Sequence, residues 1–85
     1  MTANTSKQVR IQYFALLREA RGLGQETLTT TATTARELYQ ELQTKYRFKI
    51  SDDLLRVAIN NEFTDWDTIL KSDDTVVFIP PVAGG

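Results

Sequence analysis

Thr75-Val-Val-Phe-Ile-Pro-Pro-Val-Ala-Gly-Gly85 closes the sequence, and its first half and second half ask for different structures. Thr75 to Ile79 is β-branched and aromatic, the composition of a buried strand. Pro80 and Pro81 have fixed φ and no backbone N–H, so they stop the strand and make the residues beyond it stiff and extended. Val82 and Ala83 offer small apolar contacts, and Gly84 and Gly85 have no side chains, so another protein's backbone can close tightly around them. The group exposed at the tip is the Gly85 carboxylate. Residues 80–85 are therefore expected to form an extended tail suited to insertion into a partner's active site, the alternative being a frayed end without a role.

Working outward, the rest of the chain supplies a body for that tail. From Gln8 to Phe14, Val9, Ile11 and Tyr13 alternate with Arg10, Gln12 and Phe14, a strand with one buried face. Ala15 to Gly24 ends in two glycines, Gly22 and Gly24, and is expected as a turn region. Thr-rich Glu26 to Thr31 makes a second strand, so that the first two form a hairpin with a long connection. Thr34 with Glu37 three residues later fits a capping box. Ala35, Leu38, Leu42 and Tyr46, with Tyr39 alongside, then form a helical stripe. Leu54 to Ile59 is a third strand, Asn60-Asn61 a two-residue turn with positive φ at both positions, and Glu62 to Thr64 a fourth strand. Asp65 to Leu70 is a loop and Lys71 to Asp74 a turn into the last strand. The order β-β-α-β-β-β segregates strands from helix and predicts an α+β fold, a mixed sheet with one helix across it.

The chain has 85 residues, which fits a single domain, and no Cys, so no disulfide supports it. Its polar N-terminus (1–6, expected to be disordered) carries no secretory or membrane-spanning signal, and a cytoplasmic protein is expected. A net charge of −1, with acids and bases mixed, speaks against nucleic-acid or membrane partners. His is absent as well as Cys, so Ser–His and Cys–His catalysis and the usual zinc site are excluded within this chain. No residue constellation marks an active site of its own. The acidic pairs Asp52-Asp53, Asp65/Asp67 and Asp73-Asp74 fall where loops are predicted and read as turn residues, not metal ligands. Gly22-Leu-Gly24 lacks the third glycine of a phosphate loop. Lys45-Tyr-Arg-Phe-Lys49 interleaves bases and aromatics, but at a helix end in a slightly acidic chain Tyr46 and Phe48 read as core.

Val77 to Gly85 closely resembles the C-terminus of the molybdopterin synthase small subunit family, the sulfur carriers of molybdenum cofactor biosynthesis. Tyr13 to Gly22, Leu55 to Asn60 and Leu70 to Val76 resemble further segments of that family at the right spacing. Asn60-Asn61 and Asp73-Asp74 stand where the family often has Asn-Gly and Gly-Asp; Asn and Asp tolerate the left-handed region best among non-glycine residues. The resemblance implies a ubiquitin-like β-grasp fold. It also implies that an ATP-using adenylyltransferase of the ubiquitin-activating type adenylates Gly85, that a sulfur donor protein converts it to a thiocarboxylate, and that the tail enters the large subunit of molybdopterin synthase, in a heterotetramer. No tightly bound cofactor is implied; ATP serves the activating partner. Two alternatives stay open: a thiazole-forming sulfur carrier, and a protein modifier conjugated through Gly85. If Val9, Ile11 and Tyr13 face the core, Phe14 faces out, as do Val77 and Ile79 if Val76 and Phe78 are core. Phe14 and Ile79 are the expected apolar interface anchors, with Arg18 as a charged contact.

Overall fold

The computed structural model describes residues 6–80. Residues 1–5, and Pro81, Val82, Ala83, Gly84 and Gly85 of the expected tail, lie outside the described residues. The elements are β1 (Lys7–Tyr13), α1 (Ala15–Arg21), β2 (Gln25–Thr30), α2 (Ala35–Tyr46), a 3-10 turn (Asp52–Leu54), β3 (Arg56–Ile59), β4 (Glu62–Thr64) and β5 (Thr75–Ile79). The sheet order is β2-β1-β5-β3-β4, with β1 and β5 parallel and the other pairs antiparallel. The mixed five-stranded sheet and the helix across it are as expected. The expected turn at Ala15–Gly24 is not: its first seven residues are α1, and Gly22, at φ 86°, is the left-handed residue that ends it.

One sheet face makes the core. Val9, Ile11 and Tyr13 are at most 1% exposed, and Tyr13 stands opposite Phe78, as Ile11 stands opposite Val76. Val57 and Ile59 continue the layer across β3, and α2 covers it with Ala35, Leu38, Tyr39 and Leu42, the spacing of one helical face. An aromatic cluster fills the centre: Phe78 packs on Tyr39 (centroids 5.2 Å apart) and Trp66 (5.8 Å), and Phe48 meets Tyr13 and Tyr39. Phe48 is buried and Tyr46 packs against the core, so the aromatics of Lys45–Lys49 are structural.

Half of the expected capping box of α2 forms. The Thr34 hydroxyl caps the helix by accepting from Glu37 N–H at 3.2 Å, but Glu37 Oε1 accepts from Thr33 N–H (2.8 Å) instead of closing the reciprocal box. The loop after β4 satisfies the next donors. Ala35 and Arg36, whose N–H groups have no partner inside the helix, donate to Thr68 and Trp66 carbonyls at 3.2 and 2.9 Å.

The turn residues behave as their side chains dictate. Asn60 and Asn61 hold φ of 54° and 73°, and Asp73 holds 70°. Asp74 is buried with its carboxylate satisfied, accepting from Asn60 Nδ2 (2.9 Å) and Lys71 N–H (2.8 Å), while Asn60 Oδ1 accepts from Thr75 N–H (3.0 Å). The β3–β4 turn is thus stitched to the start of β5. Asp52 and Asp67 both pair with Arg36, at 3.3 and 3.4 Å. Among the described residues no group of His, Cys, Asp and Glu is placed to hold a metal ion, and no helix is long and apolar enough to cross a membrane.

α1 buries only Leu17, and a polar clamp holds it down. Arg21 donates twice to the Glu26 carboxylate (3.0 and 2.8 Å), Tyr13 donates its phenol to the same group (2.5 Å), and the Arg21 guanidinium lies 4.0 Å from the centre of the Tyr46 ring. The Arg21 hydrogen bonds hold Glu26 below the usual carboxylate range, and burial, reinforced by Glu26, pushes the Tyr13 hydroxyl far up.

Burial, with Asp52 nearby, also pushes Tyr39 up to about 12. A tyrosine whose folded value is raised favours the fold while it stays protonated. Its contribution is fully present below the unfolded value of about 10 and is lost as pH climbs towards the folded one. The urea midpoint is therefore expected to fall steadily from about pH 10 upward. In Tyr39→Phe the fall should be shallower. That variant gives up the hydrogen bond to Ile50 O (2.6 Å) and should be about 1 kcal/mol less stable at neutral pH. Circular dichroism over a pH series measures both, and equal slopes in the two proteins would refute the assignment to Tyr39.

Candidate functional site: the tail exit and the open sheet face

β5 lies in the middle of the sheet, and its last ladder pair is Ile79 opposite Arg56. Pro80, which has no N–H to donate, ends the pairing there. Pro80 is buried, so the first residue of the expected tail belongs to the folded body.

The sheet face opposite α2 has no helix over it. Along one row stand Phe63, Ala58, Val77 and Gln12, contributed in turn by β4, β3, β5 and β1. Phe63 is 60% exposed, with the Arg56 guanidinium 4.4 Å from its ring centre. Val77 is on this face, as alternation requires, but only 8% exposed, because the sheet flanks it on both sides; Ile79 is half-buried beside Arg56. Phe14 is the residue after the Tyr13–Phe78 pair, as Ile79 is on the other strand, and it is 47% exposed. It is also the N-cap of α1, and its carbonyl accepts from Leu17 N–H at 3.1 Å. The next residue, Ala15, holds φ of 52°, an uncommon conformation for a residue with a Cβ, where the chain leaves the sheet for α1.

Phe14 and Ile79 thus each follow directly on the last β1–β5 pair, Tyr13 and Phe78, and Phe63 stands on the open face. Arg18 is exposed on α1 next to Phe14, on the β2 side, where its side chain lies over Gly24. It is not brought to the Phe63 row. Phe63 was missed as a site residue, although the signal was present. A two-residue turn at Asn60-Asn61 pairs Ile59 with Glu62 and hence Ala58 with Phe63, and if Ile59 faces the core, Phe63 must face out.

No part of this face has the equipment of a catalyst. It offers apolar side chains and two cations, Arg10 and Arg56, and central β5 ends beside it. A mixed five-stranded sheet with β5 in its middle and α2 packed across one face defines a ubiquitin-like β-grasp protein. The chain belongs to the ThiS family, whose pattern matches residues 11–85. It is 33% identical over 81 residues to the molybdopterin synthase sulfur carrier subunit of Mycobacterium tuberculosis, across 92% of this chain and 98% of that one. Among solved structures it is similar to a chain in the complex of subunits 1 and 2 of molybdopterin-converting factor from Helicobacter pylori, with 29% identity, a TM-score of 0.63 and coverage of 92% and 99%. It is also similar to small archaeal modifier protein 1 from Methanosarcina acetivorans, with 25% identity, a TM-score of 0.76 and coverage of 95% and 99%.

Proposed function

We propose that this chain is the sulfur carrier subunit of a molybdopterin synthase. The observation that carries the reading is the placement of the tail exit. Central β5 ends at Ile79, buried Pro80 follows it, and five residues, 81–85, remain to the terminal glycine. Fully extended they reach at most about 17 Å, enough to enter an active-site channel while the open face stays on the partner's surface. The similarity to the Mycobacterium tuberculosis carrier over nearly its whole length supports the chemistry, and the similarity to a chain of the Helicobacter pylori complex supports a large-subunit partner.

The steps rest on the reactivity of a carboxylate, which is a poor acyl donor. An activating enzyme joins a Gly85 carboxylate oxygen to the α-phosphate of ATP, releasing pyrophosphate. A donor protein's persulfide sulfur then attacks the acyl carbon and AMP leaves with the oxygen; a thiol next cleaves the S–S bond to the donor, forming a disulfide with it and leaving the thiocarboxylate on Gly85. Inside the large subunit that sulfur attacks a cyclic pyranopterin monophosphate, water cleaves the acyl–sulfur bond and restores the Gly85 carboxylate, and a second thiocarboxylated carrier supplies the other sulfur of the dithiolene. The general acids and bases come from the partners, since this chain has no His or Cys.

Intact mass spectrometry tests the reading. After incubation with ATP, an activating enzyme and a sulfur donor, the chain should gain the mass of one oxygen-to-sulfur exchange. The similarity to the Methanosarcina acetivorans modifier makes conjugation the second reading, which the same spectrum would show as higher-mass adducts on other proteins' lysines. Neither change in mass would sink both.

A further inference from the structure

The end of the molecule that carries α1 has an apolar feature separate from the open sheet face. Leu16, Leu17 and Ala20 of α1, with Phe48 and Ile50 after α2, wall an open cleft of about 260 Å³, room for one branched apolar side chain. Its rim is cationic. Arg47, held at φ 61°, and Lys49 are both exposed, neither is in an ion pair among the described residues, and no acidic side chain lines the cleft.

The complementary shape stands a few residues along the chain. Ser51 to Leu54 forms the 3-10 turn, fixed by Leu54 N–H to Ser51 O and Leu55 N–H to Asp52 O, each 3.0 Å. Leu55 is buried where β3 begins, and Leu54 is left 60% exposed. Asp53 beside it is exposed and outside the ion pairs found among the described residues, whereas Asp52 is held by Arg36. An apolar knob with an anionic flank thus sits next to an apolar socket with a cationic rim. Leu54 is four residues from the Ile50 wall, at most about 14 Å along the chain. A patch that carries both halves side by side is self-complementary, which is the requirement of a two-fold contact between identical chains.

We propose that two copies of this chain pair through this end, each Leu54 seated between Leu16, Ala20 and Ile50 of the other copy, with Asp53 facing Arg47 and Lys49. The patch is small for a permanent dimer, so the pairing is weak and reversible. It uses neither Phe63 nor Ile79, and so does not depend on the sulfur-carrier reading.

Sedimentation velocity of the full 85-residue chain, up to about millimolar concentration, tests it. The expected result is a concentration-dependent shift towards twice the 9.7 kDa monomer mass, weakened by raised salt. Leu54→Asp, Asp53→Lys and Lys49→Asp, all at exposed positions, should each weaken pairing at least about tenfold with the circular dichroism spectrum unchanged. Mixed together, Asp53→Lys and Lys49→Asp should pair more strongly than either does alone, because one contact of the mixed dimer is the natural one and the other joins the new lysine to the new aspartate, with Arg47 its one remaining like charge. Phe63→Asp should leave the pairing as it was. A chain that stays monomeric throughout, or a dimer lost in Phe63→Asp and kept in Leu54→Asp, overturns the proposal.

Discussion

A chain lacking Gly84 and Gly85, or carrying Gly85 as its amide, is expected to unfold at the same urea concentration as the full chain and to transfer no sulfur. The first half of that expectation comes from the fold. The core closes among residues up to Phe78, and Pro80 is the last residue packed into the described body. The second half comes from the chemistry. Adenylation needs a carboxylate oxygen as the nucleophile towards phosphorus, and an amide nitrogen, its lone pair shared with the carbonyl, cannot replace it. The amide differs from the natural chain by one atom and one charge, so it separates the reaction from the fit of the tail, which the deletion does not. Denaturant unfolding and a sulfur-transfer assay with activating enzyme, donor and large subunit measure both halves. Transfer by the amidated chain would contradict the sulfur-carrier assignment outright, whatever the fold does.

Replacing Phe78 with Ala should have the largest effect on stability of any single truncation. Phe78 is fully buried, pairs with Val57 and Tyr13 on its two flanking strands, and contacts Tyr39 and Trp66 with its ring. Emptying such a site removes the transfer free energy of the ring and leaves a cavity that α2 and the sheet cannot close, about 3–5 kcal/mol. A domain of this size has only about 4–13 kcal/mol in total, so the variant should be partly unfolded at 37 °C. Phe78→Leu refills most of the volume and should lose about 1–2 kcal/mol. The urea midpoint ranks the three proteins. A Phe78→Ala midpoint near that of the natural chain would mean that the aromatic cluster does not hold β5 against α2.

Much of this architecture can be read in the residues. Alternation located β1 and its buried face, the helical stripe located α2, and paired asparagines located the β3–β4 turn. In each case the signal is a side-chain pattern repeated at least twice. α1 escaped because its signal is single. Only Leu17 is buried, so there is no stripe, and its N-cap is Phe14, which has no oxygen to mark a helix start. The propensities of Ala15 to Arg21 favour a helix, but Gly22, which ends it, reads equally as part of a turn. For the candidate site, alternation is enough to place Phe14 and Ile79 away from the core, where they lie exposed and half-buried. Phe63 needed the pairing of β3 with β4, which a single apolar residue in a three-residue strand does not declare by itself.

The parallel pairing of β1 with β5 also has a mechanical meaning. Traction on the carboxyl end runs along β5, which is gripped on both long sides, by β1 and by β3. Load in that direction shears two ladders at once instead of unzipping one rung at a time. A machine that tugs on the terminus, whether to seat it or to dispose of the protein, meets the stiffest direction of the molecule first.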